Sequence, residues 1–105
     1  MDKPTGKCAG WSAWHDRQPV GTATLYVVGK CTFPTTGYKV ELKPAVPQGT
    51  NPGIYILQKL VHPPAGPAND VITEVEARYT EKTNAHYESV QIMPDNVTVP
   101  VKEAS

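Results

Sequence analysis

Proline and glycine interrupt this chain so often that long regular elements are excluded from most of it. There are 11 Pro and 8 Gly in 105 residues. Proline lacks the backbone N–H that helices and central strands use, and its ring clashes with the preceding turn of a helix. The segments between the breaks, such as residues 23–28 and 53–57, are rich in β-branched and aromatic residues. The sequence therefore predicts short strands joined by surface turns.

Alternation of apolar and polar residues locates most of the strands. Residues 22–33 are expected to form a long strand. One face of it would carry Ala23, Leu25, Val27, Gly29, Cys31 and Phe33. Residues 38–43 alternate strictly, which is typical of a half-buried strand. Residues 54–62 are apolar on both faces and are expected to lie centrally, and further strands are expected at residues 85–93 and 97–101.

The stretch 68–93 is the longest without Pro or Gly, and its first half fits two structures. As a strand it would turn Val71, Thr73, Val75, Ala77 and Tyr79 inward. As a helix it would place Val71, Val75 and Tyr79 on one stripe. The β-branched content favours the strand.

About six or seven strands with turn signals at roughly ten-residue intervals predict an all-β fold. The preferred architecture is a small antiparallel β-sandwich of the immunoglobulin-like kind, although the Cys–Trp–Cys arrangement of antibody domains is absent. A small β-barrel is one alternative, and an α+β fold is another if residues 70–82 are helical. Residues 1–19 are expected to be an irregular N-terminal segment, and residues 20–105 a single β-sandwich domain.

Charge and hydropathy argue against two classes of partner. The formal net charge is zero, whereas nucleic-acid binding draws on a basic excess. The sequence has no cluster of Lys and Arg residues of the kind that binds an anionic membrane surface. No apolar run approaches the ~20 residues of a membrane span. No hydrophobic signal-peptide region is visible near the N-terminus, which favours a cytoplasmic location.

The two cysteines, Cys8 and Cys31, are too few for a disulfide scaffold or for a zinc site by themselves. Each follows a Gly-Lys pair, which places Lys7 and Lys30 beside them in sequence. We expect buried or half-buried free thiols. A disulfide that joins the N-terminal segment to the first long strand is the alternative.

Candidate catalytic and metal groups are sparse. The histidines, His15, His62 and His86, have no chelating spacing, so separate strand-end or surface positions are expected rather than a metal site. No glycine-rich phosphate loop is present. Glu74 and Glu76 are expected on a charged outer face rather than across a substrate cleft. The prediction is therefore a protein without catalytic residues, cofactor or metal.

Aromatic residues and one loop supply the candidate binding site. Trp11 and Trp14 lie outside the expected core strands and form either a contact surface or a lid over one end of the fold. Residues 44–53 form a long Pro/Gly/Asn-rich loop of the kind that carries binding on a rigid scaffold. The candidate partner- or ligand-binding residues are Trp11, Trp14, His15, Gln48, Asn51 and Tyr55.

These features favour a non-catalytic binding or assembly module that presents loops or an edge strand to another protein, which includes a second copy of itself. The alternative function is a small-ligand domain that stacks a carbohydrate on exposed Trp and Tyr rings.

Overall fold

A computed structural model of the protein describes residues 7–16, 21 and 23–104, and these residues contain seven β-strands and no helix. The strands are β1 (Lys7–Asp16), β2 (Thr24–Phe33), β3 (Lys39–Pro44), β4 (Ile54–His62), β5 (Thr73–Lys82), β6 (Ser89–Met93) and β7 (Val97–Ala104). The predicted strand at 54–62 is confirmed with the same bounds, and β2 and β3 agree with prediction within about two residues. The strand predicted at 85–93 is shorter, since it begins at Ser89.

The strands form one mixed sheet in the order β3-β4-β6-β7-β1-β2-β5. Neighbours are antiparallel except for β1 with β7 and β4 with β6, which are parallel. Strand β7 changes partner along its length: residues 97–100 pair with β6, and residues 101–104 pair with β1. Pro100 lies at this change, where a residue without an N–H interrupts the ladder least.

The edge strands β3 and β5 lie alongside each other without a ladder of hydrogen bonds, so the sheet curls into a nearly closed barrel. The loops that precede them are joined, because Thr36 N donates to Asn69 O and Asn69 N donates to Thr36 Oγ1, both at 3.1 Å. The barrel alternative therefore fits. The immunoglobulin-like sandwich of two antiparallel sheets is not confirmed, since the parallel pairs merge both halves into one sheet.

The β-branched segment before residue 82 is a strand, which excludes the α+β alternative. Every residue of β5 from Thr73 to Lys82 pairs with β2 in antiparallel register. Ala77 is buried, and Val75 and Tyr79 pack against the core, as the strand alternation predicts. Val71, just outside β5, is 56% exposed, so the inward pattern does not extend to it.

The prediction that residues 1–19 are irregular is wrong for residues 7–16, which form β1 between β2 and β7. A β-bulge hides the alternation of this strand: Gly10 and Trp11 together face the single residue Gly29 of β2. Gly10 has φ 66°, a conformation that glycine adopts without steric cost. The rest of the predicted segment, residues 1–6 and 17–19, lies outside the described residues.

The barrel interior is filled from both halves of the sheet. The predicted inner face of β2 is confirmed, since its apolar side chains are all buried. The fully buried apolar side chains of the interior are Leu25, Val27, Cys31, Phe33, Leu57, Ala77, Val90 and Ile92. Within the described part of the chain there is no helix of the length and hydropathy that crossing a bilayer requires.

Cys8 and Cys31 form a disulfide, so the expectation of free thiols is wrong and its alternative is correct. The two residues are direct partners in the β1–β2 ladder. Because the expected irregular segment is in fact a strand paired with β2, the two sulfurs meet across neighbouring strands.

Candidate functional site

The loop between β3 and β4, residues 45–53, is held in place by the side chain of Gln48. Its Nε2 donates to Ala45 O at 2.7 Å and to Ile56 O at 2.9 Å. Its Oε1 accepts from Ile56 N at 2.8 Å. The amide thus satisfies backbone groups that a neighbouring strand would otherwise pair, and it fixes the loop against β4.

The end of this loop is a turn built by Asn51. Its Oδ1 accepts from Gly53 N at 2.8 Å, and its backbone O accepts from Ile54 N at 3.1 Å. Asparagine favours such turns because its side chain bonds to the backbone two residues further on. Gly53 O in turn accepts from Glu88 N at 2.7 Å, which joins the loop to the segment before β6.

An open cleft of about 410 Å³ lies between this loop and Tyr87. We call it the loop cleft, and its lining residues are Gln48, Gly49, Thr50, Asn51, Pro52, Ile54, Tyr55 and Tyr87. The volume is within the range of roughly 300–1,000 Å³ that small-molecule sites occupy in proteins.

Three tyrosines from different elements meet beside the cleft. Tyr55 of β4 stacks on Tyr87, with ring centroids 4.6 Å apart and an interplanar angle of 16°. The ring of Tyr79 from β5 lies 6.2 Å from that of Tyr55 at 52°. Tyr55 is only 8% exposed, so the cleft wall that it forms is continuous with the barrel interior.

The hydroxyls of two of these tyrosines converge on one carboxylate. Tyr55 Oη donates to Glu81 Oε1 at 2.6 Å, and Tyr79 Oη donates to the same oxygen. The two hydroxyls are 3.1 Å apart. Each hydroxyl has a single hydrogen, so a hydroxyl that donates to Glu81 has no hydrogen left for another acceptor. The carboxylate therefore fixes the orientation of both rings.

Burial and the nearby carboxylate keep these phenols protonated. Burial, and then the hydrogen bond to Glu81, raises the pKa of Tyr79 to about 12. The same two causes raise the pKa of Tyr55 well above its usual value. Burial and the charge of Glu81 also raise the pKa of Tyr87. All three hydroxyls are therefore uncharged at neutral pH, including those of the two tyrosines that line the cleft, Tyr55 and Tyr87.

The chain matches no family model, and no curated protein or solved structure is significantly similar to it. The residues of the cleft themselves indicate what it can do. It offers aromatic and apolar surface on a loop that internal hydrogen bonds already fix. Several of its polar groups, notably the Gln48 amide and the Tyr55 hydroxyl, have protein partners.

Half of the predicted site residues come together and half lie elsewhere. Gln48, Asn51 and Tyr55 all line the loop cleft. Trp14 instead stacks on Tyr26 of the neighbouring strand, with centroids 5.3 Å apart. Trp11 packs against the core, with its ring directly over Gly29.

His15, the remaining predicted residue, is a buried side chain and not part of the cleft lining. It is 2% exposed, and its Nε2 lies 2.8 Å from Thr83 O, an acceptor to which it donates. Its Nδ1 lies 3.5 Å from Glu103 Oε2. His62 pairs with Glu41 on another strand, and the described residues contain no group of three potential metal ligands.

Sequence reasoning missed Tyr79, Glu81 and Tyr87 as parts of the site. Tyr79 was expected on the inner face of its strand, which is correct, but nothing local connects it with Tyr55. Glu81 falls in a polar stretch that resembles a turn, whereas β5 continues to Lys82. The available signal was the tyrosine content, since tyrosine is typical of places with an apolar side and a wet side.

Proposed function

We propose that this protein is a non-catalytic binding module that holds a segment of a partner protein in the loop cleft. The observation that carries the proposal is the convergence of Gln48, Asn51 and Tyr55 with Tyr87 on one cleft. These residues come from a loop, a strand and a distant segment. Loops fixed on a rigid scaffold are the usual location of binding residues.

The rigidity of the loop supports binding because little ordering is left for the moment of association. Gln48 makes three hydrogen bonds within the protein, and Asn51 closes the turn that follows. A preorganised surface loses less conformational entropy when a partner binds.

An exposed apolar residue on the same loop supports a protein partner. Val46 is 92% exposed. The centre of a protein–protein interface is apolar and enriched in tyrosine, and an exposed valine on the loop that forms a tyrosine-lined cleft fits that composition. The partner is another protein or a second copy of this chain.

The hydroxyl network supports a role without acid–base chemistry. A general base or acid works best with a pKa close to the operating pH. The raised pKa of Tyr79, about 12, is far from that condition. The hydroxyls of Tyr55 and Tyr79 are also committed to Glu81.

A small-ligand function, with a carbohydrate as the ligand, is the second candidate. The stacked rings of Tyr55 and Tyr87 beside the Asn51 side chain favour it, because sugars pack on aromatic surface and bond to amides. The Trp14–Tyr26 pair supports it less, because each ring covers one face of the other.

A cleft-filling variant tests both candidates. Thr50→Trp adds a bulky side chain to the cleft lining, and Thr98→Trp, on the exposed part of β7, is the matched control. Peptides selected from a random displayed library on the wild-type protein are expected to bind the control and not Thr50→Trp. A different result would favour the small-ligand function. In that case glycans from a panel would bind the wild type and the control but not Thr50→Trp, and the peptides would not show this difference.

A second variant tests the exposed valine of this loop, Val46. Val46→Asp is expected to weaken binding of the selected peptides at least several-fold, because it places a charge in an apolar contact. Ile72→Asp is the control, since Ile72 is 78% exposed on a different loop. Light scattering after size-exclusion chromatography shows whether the partner is a second copy. Equal loss in both variants would contradict the proposed surface.

A further inference from the structure

The two cysteines of the disulfide differ in exposure. Cys31 is 0% exposed inside the barrel, whereas Cys8 is only partly buried. Both residues are direct partners in the ladder between β1 and β2. A thiolate that approaches from solvent therefore meets Cys8 before Cys31.

A buried lysine from the other half of the barrel contacts the sulfur of the more exposed cysteine, Cys8. Lys59 of β4 is 8% exposed, which is unusual for a lysine. Its Nζ lies 3.4 Å from Cys8 Sγ and 2.7 Å from Asp95 Oδ2. The ammonium group is thus shared between a carboxylate and a disulfide sulfur.

The ammonium group affects the two redox states of Cys8 differently. A disulfide sulfur is neutral and accepts hydrogen bonds weakly, so it gains little from a nearby cation. A thiolate at the same place is an anion, and a neighbouring lysine stabilises it strongly. Lys59 therefore favours the reduced state over the disulfide.

We propose that Cys8–Cys31 is a thiol–disulfide exchange site, in which Cys8 is the sulfur attacked, Lys59 stabilises its thiolate, and the co-reactant is a dithiol. The site is separate from the loop cleft and does not depend on the proposed binding function. None of the residues that line the cleft belongs to it.

The exchange proceeds in two balanced steps. One thiolate of the dithiol attacks Cys8 Sγ, the Cys8–Cys31 bond breaks, and Cys31 leaves as a thiolate that takes up a proton. The second thiol of the co-reactant loses its proton and attacks its own sulfur in the mixed disulfide. Cys8 then leaves as a thiolate beside Lys59, and the co-reactant is oxidised to its disulfide by two electrons.

The lysines next to the cysteines in sequence do not have this role in the structure. Lys7 is exposed, and the Lys30 side chain is 65% exposed and lies 3.8 Å from Glu74. Lys30 follows a buried glycine and precedes Cys31, so the strand alternation directs it to the opposite face. Lys30→Met is therefore the matched control for a substitution of Lys59.

The test measures how readily the disulfide is reduced. Wild type, Lys59→Met, Lys59→Arg, Asp95→Asn and Lys30→Met are equilibrated with dithiothreitol buffers, and free thiols are counted by mass after alkylation. Loss of the cation is expected to lower the equilibrium constant for reduction about tenfold in Lys59→Met. Lys59→Arg, which keeps the charge, and Lys30→Met are expected to remain near wild type.

Asp95→Asn is expected to change the equilibrium in the opposite direction, because the ammonium group is then free to pair with the thiolate. This variant decides the matter if Lys59→Met does not fold.

The rate of iodoacetamide alkylation of reduced Cys8 adds a readout that a structural role would not change. It is expected to be faster in wild type than in Lys59→Met at neutral pH and equal at alkaline pH. Equal equilibrium constants in wild type, Lys59→Met and Asp95→Asn would overturn the proposal.

Discussion

Tyr55 and Tyr87 stack face to face, with ring centroids 4.6 Å apart, although one residue is the second of strand β4 and the other precedes strand β6. The parallel pairing of β4 with β6 brings them together, since Ile54 is the partner of Ser89. The backbone bond from Glu88 N to Gly53 O, at 2.7 Å, holds the same junction. The loop cleft therefore depends on a long-range strand pair rather than on the loop alone.

Removal of the Tyr87 ring is expected to destabilise this junction. Tyr87→Ala should lower the free energy of unfolding by about 1–2 kcal/mol, from the lost stacking and the lost apolar contact of a half-buried ring. Urea unfolding followed by circular dichroism measures the change. Tyr87→Phe keeps the stack and is expected to cost much less. Equal costs for the two variants would mean that the hydroxyl, not the ring, stabilises the junction.

Loss of the Gln48 side chain is expected to release the loop. Gln48→Ala removes three hydrogen bonds on an exposed segment, so we expect a loss of about 1 kcal/mol in unfolding free energy. Hydrogen exchange of the Ile56 amide, which donates to Gln48, should become faster while the core amides stay protected. Gln58→Ala, an exposed residue of β4, is the control. Unchanged exchange at Ile56 would show that the amide does not hold the loop.

The tyrosine cluster is expected to make stability fall at alkaline pH. The pKa of Tyr79 is raised from 10.0 to about 12 in the folded protein, so the folded state keeps a proton that the unfolded chain loses first. The stabilisation is fully present below about pH 10 and is lost as the pH rises towards about 12. Urea unfolding at a series of pH values measures this decline.

The same cluster should be visible in a spectrophotometric titration of tyrosine. Removing the carboxylate in Glu81→Gln eliminates one cause of the raised pKa of Tyr79, so its ionisation is expected to begin at lower pH than in wild type. Glu76→Gln is the control, because Glu76 is an exposed residue of the same strand that pairs with Arg78. Identical titrations for wild type and Glu81→Gln would show that the carboxylate does not contribute to the raised pKa of Tyr79.

The sequence predicted those parts of the fold that depend on local periodicity. The inner face of β2 was predictable because a strand alternates with a period of two, whatever it pairs with. Strand β1 was not, since the bulge at Gly10 and Trp11 shifts that alternation within the strand. The closure of the barrel could not be predicted either, because the parallel pairs of β1 with β7 and β4 with β6 leave no local pattern.

The candidate site divides in the same way. Gln48, Asn51 and Tyr55 belong to one loop and the strand after it, so composition alone indicated them. Tyr87 and Glu81 join them only through the tertiary pairing of strands. Lys59 did carry a signal, because it lies at an alternate position of the strand and so shares the inward face of Tyr55 and Leu57. A single lysine does not change the apolar character of that strand, so the signal is easily overlooked.

The contact between Trp11 and Gly29 gives a last prediction, in which two opposing effects differ in size. Replacing a strand glycine by alanine normally adds about 0.5–1 kcal/mol of stability, because glycine loses more backbone entropy on folding. At Gly29, however, a Cβ would collide with the Trp11 ring, and overpacking of this kind costs about 1–3 kcal/mol. We therefore expect Gly29→Ala to be destabilising in urea unfolding.

The cost should largely disappear in the Trp11→Ala background, as a double-mutant cycle measures. Gly66→Ala is the control, since a Cβ there meets no atom within 4 Å. If Gly29→Ala costs the same with and without the indole, the close approach of Trp11 does not explain the glycine.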